Sequence, residues 1–146
     1  MSEINGCRLP DDLYYWPDKH VWARPDHDGT IWVGMTDVAQ SLAGKIVVVN
    51  LRSLGKTLAR GKSAGTVESG KWVGSIATPV AGEVIAVNER LKSTPTLIND
   101  DPYGEGWMIH VRPTNWEVDR AELVTGENGI RQYQEKLSRE GISCQH

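Results

Sequence analysis

Short runs of β-branched and aromatic residues, separated by glycine, proline, asparagine and aspartate, most constrain the fold of this 146-residue chain. Such runs favour β-strands, and the residues between them favour turns. The predicted strands are residues 20–25, 29–35, 45–51, 65–69, 82–88 and 106–112. We therefore expect a mainly β chain, of a length that suits one domain with a substantial core.

One turn and two helices are predicted around these strands. Asp26 to Gly29 reads as a hairpin turn, because an Asp-Gly pair accepts positive φ. TDVAQSL, residues 36–42, predicts a short helix that begins at Thr36 or Asp37. A second helix is expected near the end of the chain. Its apolar face would hold Ile130, Tyr133 and Leu137, and Gly141 would end it.

An internal repeat suggests how the strands are arranged. AGKIVVVN at residues 43–50 and AGEVIAVN at residues 81–88 share the pattern A-G-x-x-x-x-V-N. A duplicated strand unit predicts two similar halves that pack face to face as a flattened sandwich. In that arrangement each half should have an equivalent hairpin, of which only one needs to carry a function.

Charge and hydropathy argue against several classes of partner. The net charge of −3 argues against nucleic-acid or anionic-membrane binding. No apolar run is long enough to span a bilayer, and the N-terminal residues lack the pattern of a signal peptide. A cytoplasmic location with no nucleic-acid or membrane partner is therefore expected.

The cysteines and histidines do not predict a metal or thiol site. Cys7 and Cys144 lie near opposite ends of the chain, and we expect both to be reduced, incidental thiols. The four histidines have no spacing typical of metal ligands. They are His20, His27, His110 and His146.

Between the two repeats, the segment TVESGKWVGSI predicts a hairpin. If residues 66–69 and 73–76 pair as strands, Gly70 and Lys71 occupy the turn, with Gly70 supplying a conformation that β-branched residues resist. Taken alone, Lys71 is an ordinary solvated turn lysine.

Several motifs, in the right order, resemble the lipoyl-carrying H protein family of the glycine cleavage system. The resemblance covers about residues 20–123. The matching segments are HVW (20–22), VGMTDVAQ (33–40), ESGK (68–71), TPVAGEVIAVN (78–88) and LINDDPYGEGWM (97–108).

This resemblance implies a lipoyl-domain fold. The expected fold class is mainly β: a barrel-sandwich hybrid, or flattened β-barrel, with short peripheral helices and a C-terminal helix. The expected divisions are an N-terminal extension packing on the core (1–19), the carrier domain (20–126) and a C-terminal helix and tail (127–146).

The resemblance also implies a site. Lipoate would be attached covalently to Lys71, and Glu68, Gly70 and Gly82 would serve recognition by the modification enzyme. Trp72 is a possible contact of the arm. Biotin is disfavoured, because biotin carriers resemble a Met-Lys-Met pattern, whereas Gly70 and Trp72 flank this lysine. Such a protein is a shuttle rather than an enzyme, because the cofactor supplies the chemistry and the protein presents it.

Departures from the usual family pattern bear on the pathway. They are the extension at residues 5–22, Val21 within HVW, Lys45 in LAGKIVVVNL, LRSLG at 51–55, and Trp72 beside the lysine. Together they resemble the H-protein-like lipoate-binding proteins of the heterodisulfide-reductase-like pathway of sulfur oxidation. This implies a cargo of sulfur intermediates and electrons, and gives Cys7 a possible role as an auxiliary thiol.

The implied partners follow from these interpretations. Lipoate ligase or other lipoyl-attachment enzymes would load Lys71. A heterodisulfide-reductase-like complex, sulfurtransferases and dihydrolipoamide dehydrogenase would then engage the arm.

The alternative is a glycine cleavage H protein that carries an aminomethyl group between glycine decarboxylase and aminomethyltransferase. Further alternatives are a non-lipoylated binding module and, more weakly, a thiol enzyme using Cys7 or Cys144. Any carrier role requires that the amine of Lys71 be exposed and unpaired.

Overall fold

The computed structural model describes residues 2–144, with the side chains of residues 5–144. The strands are β1 (Ser2–Ile4), β2 (Cys7–Leu9), β3 (Tyr14–Trp16), β4 (Val21–Pro25), β5 (Ile31–Met35), β6 (Ile46–Asn50), β7 (Thr57–Leu58), β8 (Ser63–Ser69), β9 (Val73–Ala77), β10 (Gly82–Val87), β11 (Ile109–Pro113) and β12 (Val124–Thr125). The helices are α1 (Asp37–Ala43), α2 (Arg90–Ser93), α3 (Leu97–Asp100), α4 (Trp116–Arg120) and α5 (Gly126–Glu140).

The strands form three antiparallel sheets. The largest has the order β12-β3-β4-β5-β11-β10-β7, a second has the order β6-β8-β9, and β1 pairs with β2. The predicted mainly β fold with short helices and a C-terminal helix is confirmed. The expected barrel is not closed, because the outer strands β12 and β7 of the large sheet do not pair with each other.

The two copies of the repeat lie in different sheets, as β6 and β10. Each contains a β-bulge at the same position of the repeat, at Val47 and at Ile85. The alanine carbonyl of each Ala-Gly pair also accepts a hydrogen bond, although the two donors differ in kind. The oxygen of Ala43 accepts from the Ser69 hydroxyl, and that of Ala81 accepts from the Thr114 amide. The repeat therefore recurs as one bulged strand in each of the two larger sheets, and the wider similarity of the two halves stays a prediction.

The expected pair of equivalent hairpins is wrong. In one half, β8 turns back into β9, whereas in the other half β11 ends at Pro113 and leads into α4.

The sheets pack through buried apolar side chains. This core cluster includes Ile46, Val49, Val67 and Ile76 from the small sheet and Val21, Met35 and Met108 from the large sheet or beside it.

The two predicted helices are confirmed. Thr36 caps α1, where its hydroxyl accepts from the Ala39 amide at 3.2 Å. Helix α5 ends at Gly141, which adopts a left-handed conformation with φ +67°. The predicted apolar face of α5 is buried.

Within residues 2–144, no helix is long and apolar enough to cross a membrane.

The prediction that the two cysteines are reduced, incidental thiols is wrong. Cys7 and Cys144 are both buried and form a disulfide, with their Cα atoms 4.9 Å apart. The Cys144 amide also donates to the carbonyl of Asn5 at 2.9 Å. Sequence separation hides this pairing, because only the fold brings the two ends together.

The N-terminal residues contribute directly to the large sheet. Strand β3 pairs with β4 on one side and with β12 on the other. Leu9, Leu13 and Tyr15 are buried in one cluster with the apolar face of α5. The division of the chain at residues 20 and 127 stays a prediction.

Candidate functional site

The β8–β9 hairpin presents Lys71 at its turn. The Ser69 amide donates to the Trp72 carbonyl at 2.8 Å and closes the turn. The Ser69 hydroxyl is buried, donates to the carbonyl of Ala43 at 2.5 Å and accepts from the Lys71 amide at 3.3 Å. Ser69 therefore anchors the turn to the C-terminal end of α1, so the lysine projects from a fixed position.

The side chain of Lys71 meets the requirement stated for a carrier. It is exposed, and no ion pair or side-chain hydrogen bond involves it within the described residues. Its hydrocarbon part lies over Gly44, where a Cβ atom would be 3.0 Å from Cε of the lysine. Gly44 has φ +84°, so both the backbone and the close lysine favour glycine there.

Asn99 supports the backbone beneath the lysine. Its side-chain amide donates to the carbonyl of Gly44 at 2.9 Å, and its Oδ1 accepts from the Ile46 amide at 2.9 Å. The same amide group donates to Gln40 at 3.0 Å. Asn99 belongs to the LIND segment on α3, which sequence reasoning used only as a motif.

The three residues predicted for enzyme recognition lie in different settings. Glu68 is exposed on the small sheet, in register between Val48 and Val73. Gly70 is exposed in the turn, but its φ is not positive and a Cβ atom there would meet nothing within 4 Å. The predicted conformational need for glycine at position 70 is therefore wrong.

Gly82 has a packing reason of its own. It begins β10 in the large sheet, where a Cβ atom would lie 2.2 Å from the carbonyl oxygen of Arg112. Only glycine permits that approach of the strands. The structure thus places Gly82 in a different sheet from Lys71 and gives it a structural role.

A cleft of about 250 Å³ adjoins the hairpin. Trp72 lines it, and the indole ring of Trp72 covers Gly74, where a Cβ atom would lie 2.2 Å from the ring. Buried Met35 and Ile76 and exposed Leu42 supply further apolar surface. The cleft also touches Ala43, next to the glycine over which Lys71 lies. An apolar chain attached to Lys71 would thus find a matching surface within reach.

His20 lines the same cleft and was not predicted as a site residue. It has an unusual φ of +53°, its ring stacks on Tyr133, and its Nδ1 lies 2.6 Å from the Tyr133 hydroxyl. That hydroxyl lies 3.1 Å from Oγ1 of Thr36. Burial lowers the pKa of His20, and the nearby Lys136 lowers it further. The HVW motif was the only signal in the sequence that pointed to this residue.

The cleft is lined by cationic and neutral residues. Exposed Lys19 and Ser75 lie at it, and no aspartate or glutamate does so among residues 5–144. Lys136 is nearby but is paired with Asp18 at 3.4 Å and with Glu140. The cleft therefore offers donors and positive charge without a carboxylate.

Cys7 is not available as the predicted auxiliary thiol, because its sulfur is buried and bonded to Cys144. A thiol enzyme that uses either cysteine is excluded for the same reason. Within the described part of the chain, no group of three histidine, cysteine, aspartate or glutamate side chains is placed to hold a metal ion.

Comparison with known proteins decides the family. The profile of the family described as "Glycine cleavage H-protein" matches residues 13–138, most of the chain. The chain belongs to this family. Lipoate carried covalently on a lysine is the cofactor of these H proteins, and the exposed lysine and apolar cleft of this H protein fit that group.

Individual relatives match from about three quarters to nearly all of this chain. The H protein is 43% identical over 144 residues to "Glycine cleavage system H protein 2" of Aquifex aeolicus, covering 99% of this chain and 89% of that protein. It is 47% identical over 107 residues to "Glycine cleavage system H protein" of Chromobacterium violaceum, covering 73% and 83% respectively. The crystal structure of a glycine cleavage system H protein from Mycobacterium marinum superposes with a TM-score of 0.74 at 34% identity. That match covers 92% of this chain and all of that one.

Proposed function

We propose that Lys71 carries the lipoyl group and that this H protein acts as a shuttle between partner enzymes. The supporting observation is the exposed, unpaired amine at a turn that Ser69 fixes to α1. When bound, the lipoyl group supplies a disulfide that accepts electrons or a transferred group. The protein holds the attachment point, offers an apolar cleft beside it, and contributes no catalytic group of its own.

Attachment requires that an enzyme reach the lysine. Glu68 is exposed next to the turn and lies between two exposed valines, Val48 and Val73. We propose that a lipoate ligase or another lipoyl-attachment enzyme contacts this surface. Gly70 leaves the side of the turn open, while Gly82 acts only through the fold.

The names of the relatives favour an aminomethyl group as the cargo. Each of the relatives described above is called a glycine cleavage H protein. We propose glycine decarboxylase, aminomethyltransferase and dihydrolipoamide dehydrogenase as the partners, in the cytoplasm.

The cleft gives one reason to keep sulfur as a second candidate cargo. A protonated aminomethyl group carries positive charge, and a partly buried cation needs a carboxylate or other acceptor. The residues lining the cleft include Lys19 and no carboxylate within the described residues. A neutral or anionic sulfur cargo, exchanged with sulfurtransferases and a heterodisulfide-reductase-like complex, would suit this lining better.

Intact mass of the protein isolated from its native host tests the attachment. The expected result is one added lipoyl mass, located by fragmentation on Lys71 and missing in Lys71→Arg. Lys62→Arg is the matched control, because Lys62 is another exposed turn lysine without an ion pair among residues 2–144. A fully unmodified native protein would support the binding-module alternative instead.

The cargo is tested on the lipoylated protein. The oxidised form is incubated with glycine decarboxylase plus glycine, because its disulfide accepts the aminomethyl group. In parallel, the dihydrolipoyl form is incubated with a sulfurtransferase plus a sulfane-sulfur donor, because a thiol accepts sulfane sulfur. The mass of the loaded arm is then read in each case. An aminomethyl mass alone supports the first cargo, and an added sulfur mass alone supports the second.

A further inference from the structure

Basic residues are concentrated in one stretch of the chain. Four of the 16 lysines and arginines lie within residues 51–67, and none of the 19 acidic residues does. These four are Arg52, Lys56, Arg60 and Lys62, and none of them takes part in an ion pair within residues 5–144. The chain as a whole has a net charge of −3. This stretch is therefore a positive region on an acidic protein.

A pocket of about 290 Å³ opens within this positive region. It lies between the end of β6, β7 and the start of β8, and we call it the basic pocket. Among the described residues, no acidic side chain and no aromatic ring lines it. Its polar lining includes two cations and three side chains with an amide or hydroxyl group: Arg52, Lys56, Asn50, Ser63 and Thr66.

The guanidinium group of Arg52 is exposed and is oriented by Asn50. Its Nε donates to Oδ1 of Asn50 at 2.9 Å, and its two terminal nitrogens have no partner among the described residues. A guanidinium with both terminal nitrogens free matches the two oxygens of a carboxylate. Lys56 adds a second exposed cation to the same pocket. The pocket is thus suited to a carboxylate.

The loop that carries both cations is held against the rest of the fold. The Gly55 amide donates to the carbonyl of Val84 at 2.9 Å, and the Val84 amide donates to the carbonyl of Lys56 at 2.9 Å. The hydroxyl of Ser53 is buried and donates to the carbonyl of Ala64 at 3.1 Å. The pocket is therefore formed before a ligand arrives, so binding requires little ordering of the backbone.

An exposed leucine indicates the kind of ligand. Leu54 lies between Arg52 and Lys56 in this loop and is 58% exposed. Protein interfaces combine apolar contacts with a charged rim, whereas proteins that bind single-stranded nucleic acid add aromatic rings on which bases stack. The net negative charge of the chain also opposes a polyanion. These features favour an acidic protein segment over a nucleic acid.

We propose that the basic pocket and Leu54 form a docking surface for a segment of a partner protein that carries glutamate or aspartate beside an apolar residue. Arg52 and Lys56 hold a carboxylate of this segment, and Thr66 donates a hydrogen bond to it. Leu54 contacts the apolar side chain. The binding is non-covalent and needs no cofactor.

The docking surface lies away from the lysine turn. The basic pocket contacts the first residues of β8, whereas Lys71 follows its last residue, Ser69. Because a strand rises by about 3.3 Å per residue, β8 places the two sites about 20 Å apart. A partner bound here leaves the amine of Lys71 free, so the binding does not depend on the carrier function. If Lys71 bears an arm, docking raises the concentration of that arm near the partner.

The test is a titration of the isotope-labelled full-length protein without lipoate, followed by amide chemical shifts. The probe is the blocked peptide Glu-Glu-Leu-Glu-Glu. The comparison ligands are the same peptide with glutamine in place of glutamate, inorganic phosphate, and a uridylate hexamer. Unchanged amide shifts in the large sheet show that each variant is folded.

The test variant combines Arg52→Gln with Lys56→Gln. Its matched control combines Arg139→Gln with Lys45→Gln. The control also removes one exposed arginine and one exposed lysine that have no ion pair among residues 5–144. Leu54→Ser tests the apolar contact.

The glutamate peptide should shift the amides of residues 50–66 with a Kd on the order of 1 mM, as expected for screened charges and one apolar contact. The test variant should bind it about tenfold more weakly, Leu54→Ser about threefold more weakly, and the control like the wild type. Shifts centred elsewhere, equal losses in the two double variants, equal binding of the glutamine peptide, or tighter binding of phosphate or the uridylate hexamer overturns the inference. Each of these results leaves the carrier function intact, since the titration is made without lipoate.

Discussion

At the scale of single residues, the site depends on small residues that keep space for the lysine. Gly44 lies beneath Lys71 with a left-handed backbone, and Ser69 ties the turn to Ala43. ESGK and the ordered motifs around it predict Lys71 as the attachment site, and the structure adds that this lysine is exposed. They could not predict Asn99, Lys19 or His20 as parts of the site, because those residues are distant in sequence and only the fold brings them to the hairpin.

Gly44→Ala should reduce both stability and the rate of lipoylation. The change strains the backbone, at roughly 1–2 kcal/mol, and places a methyl group 3.0 Å from Cε of Lys71. Urea unfolding and the rate of lipoate attachment by a purified ligase measure the two effects.

Gly55→Ala is the matched control for this prediction. Gly55 has nearly the same φ, +81°, but a Cβ atom there meets nothing within 4 Å. It should lose similar stability and keep the wild-type rate of attachment. Equal attachment rates in both variants would show that Gly44 does not position the lysine.

At the scale of elements, the longer strands and the two longer helices could be predicted, whereas the short pieces could not. Hydrophobic patterns mark β5, β6, β8, β10 and α5 clearly. Strands of two or three residues, such as β3, β7 and β12, carry too little pattern, and pairing with a neighbouring strand decides them. The contact of α5 with His20, the residue before β4, also arises only in the fold, through Tyr133.

That contact predicts a dependence of stability on pH. Burial lowers the pKa of His20, and also that of His110. Below pH about 6.5 the unfolded chain binds protons that the folded protein binds less readily. The free energy of unfolding should therefore fall as the pH is lowered from 7 to 5. Above pH 7 both histidines are neutral in the folded and the unfolded chain, so they add no pH dependence to the free energy of unfolding.

Urea titrations at several pH values measure this slope. His20→Asn should flatten it, because one of the two responsible groups is removed. His27→Asn is the control, since the side chain of His27 is 96% exposed. A slope that is the same in all three proteins would contradict the role of His20.

At the scale of the whole molecule, a disulfide joins the strand β2 near one end of the chain to the residues that follow α5. It links positions 137 residues apart and is buried on the cluster that includes Tyr15 and Tyr133. Neither cysteine has a neighbouring partner in sequence, so only the three-dimensional fold reveals the pairing.

Removal of this disulfide should lower the free energy of unfolding substantially. A loop of this length restricts the unfolded chain by about 4–5 kcal/mol in the chain-entropy account. The double variant Cys7→Ala with Cys144→Ala tests this by urea unfolding, in comparison with the wild type under non-reducing conditions. Thiol titration of the denatured wild type should find no free cysteine, and two free thiols would contradict the prediction.

The matching bulges in β6 and β10 let the two copies of the repeat be aligned residue by residue. Pairing of β6 with β8 and of β10 with β11 then makes Pro113 the counterpart of Lys71. Proline has no side-chain amine that could accept a cofactor, and the chain leaves the sheet there. A molecule with two such strand units therefore offers one lysine at this position, and under the proposed carrier function a partner meets one loaded group at a time.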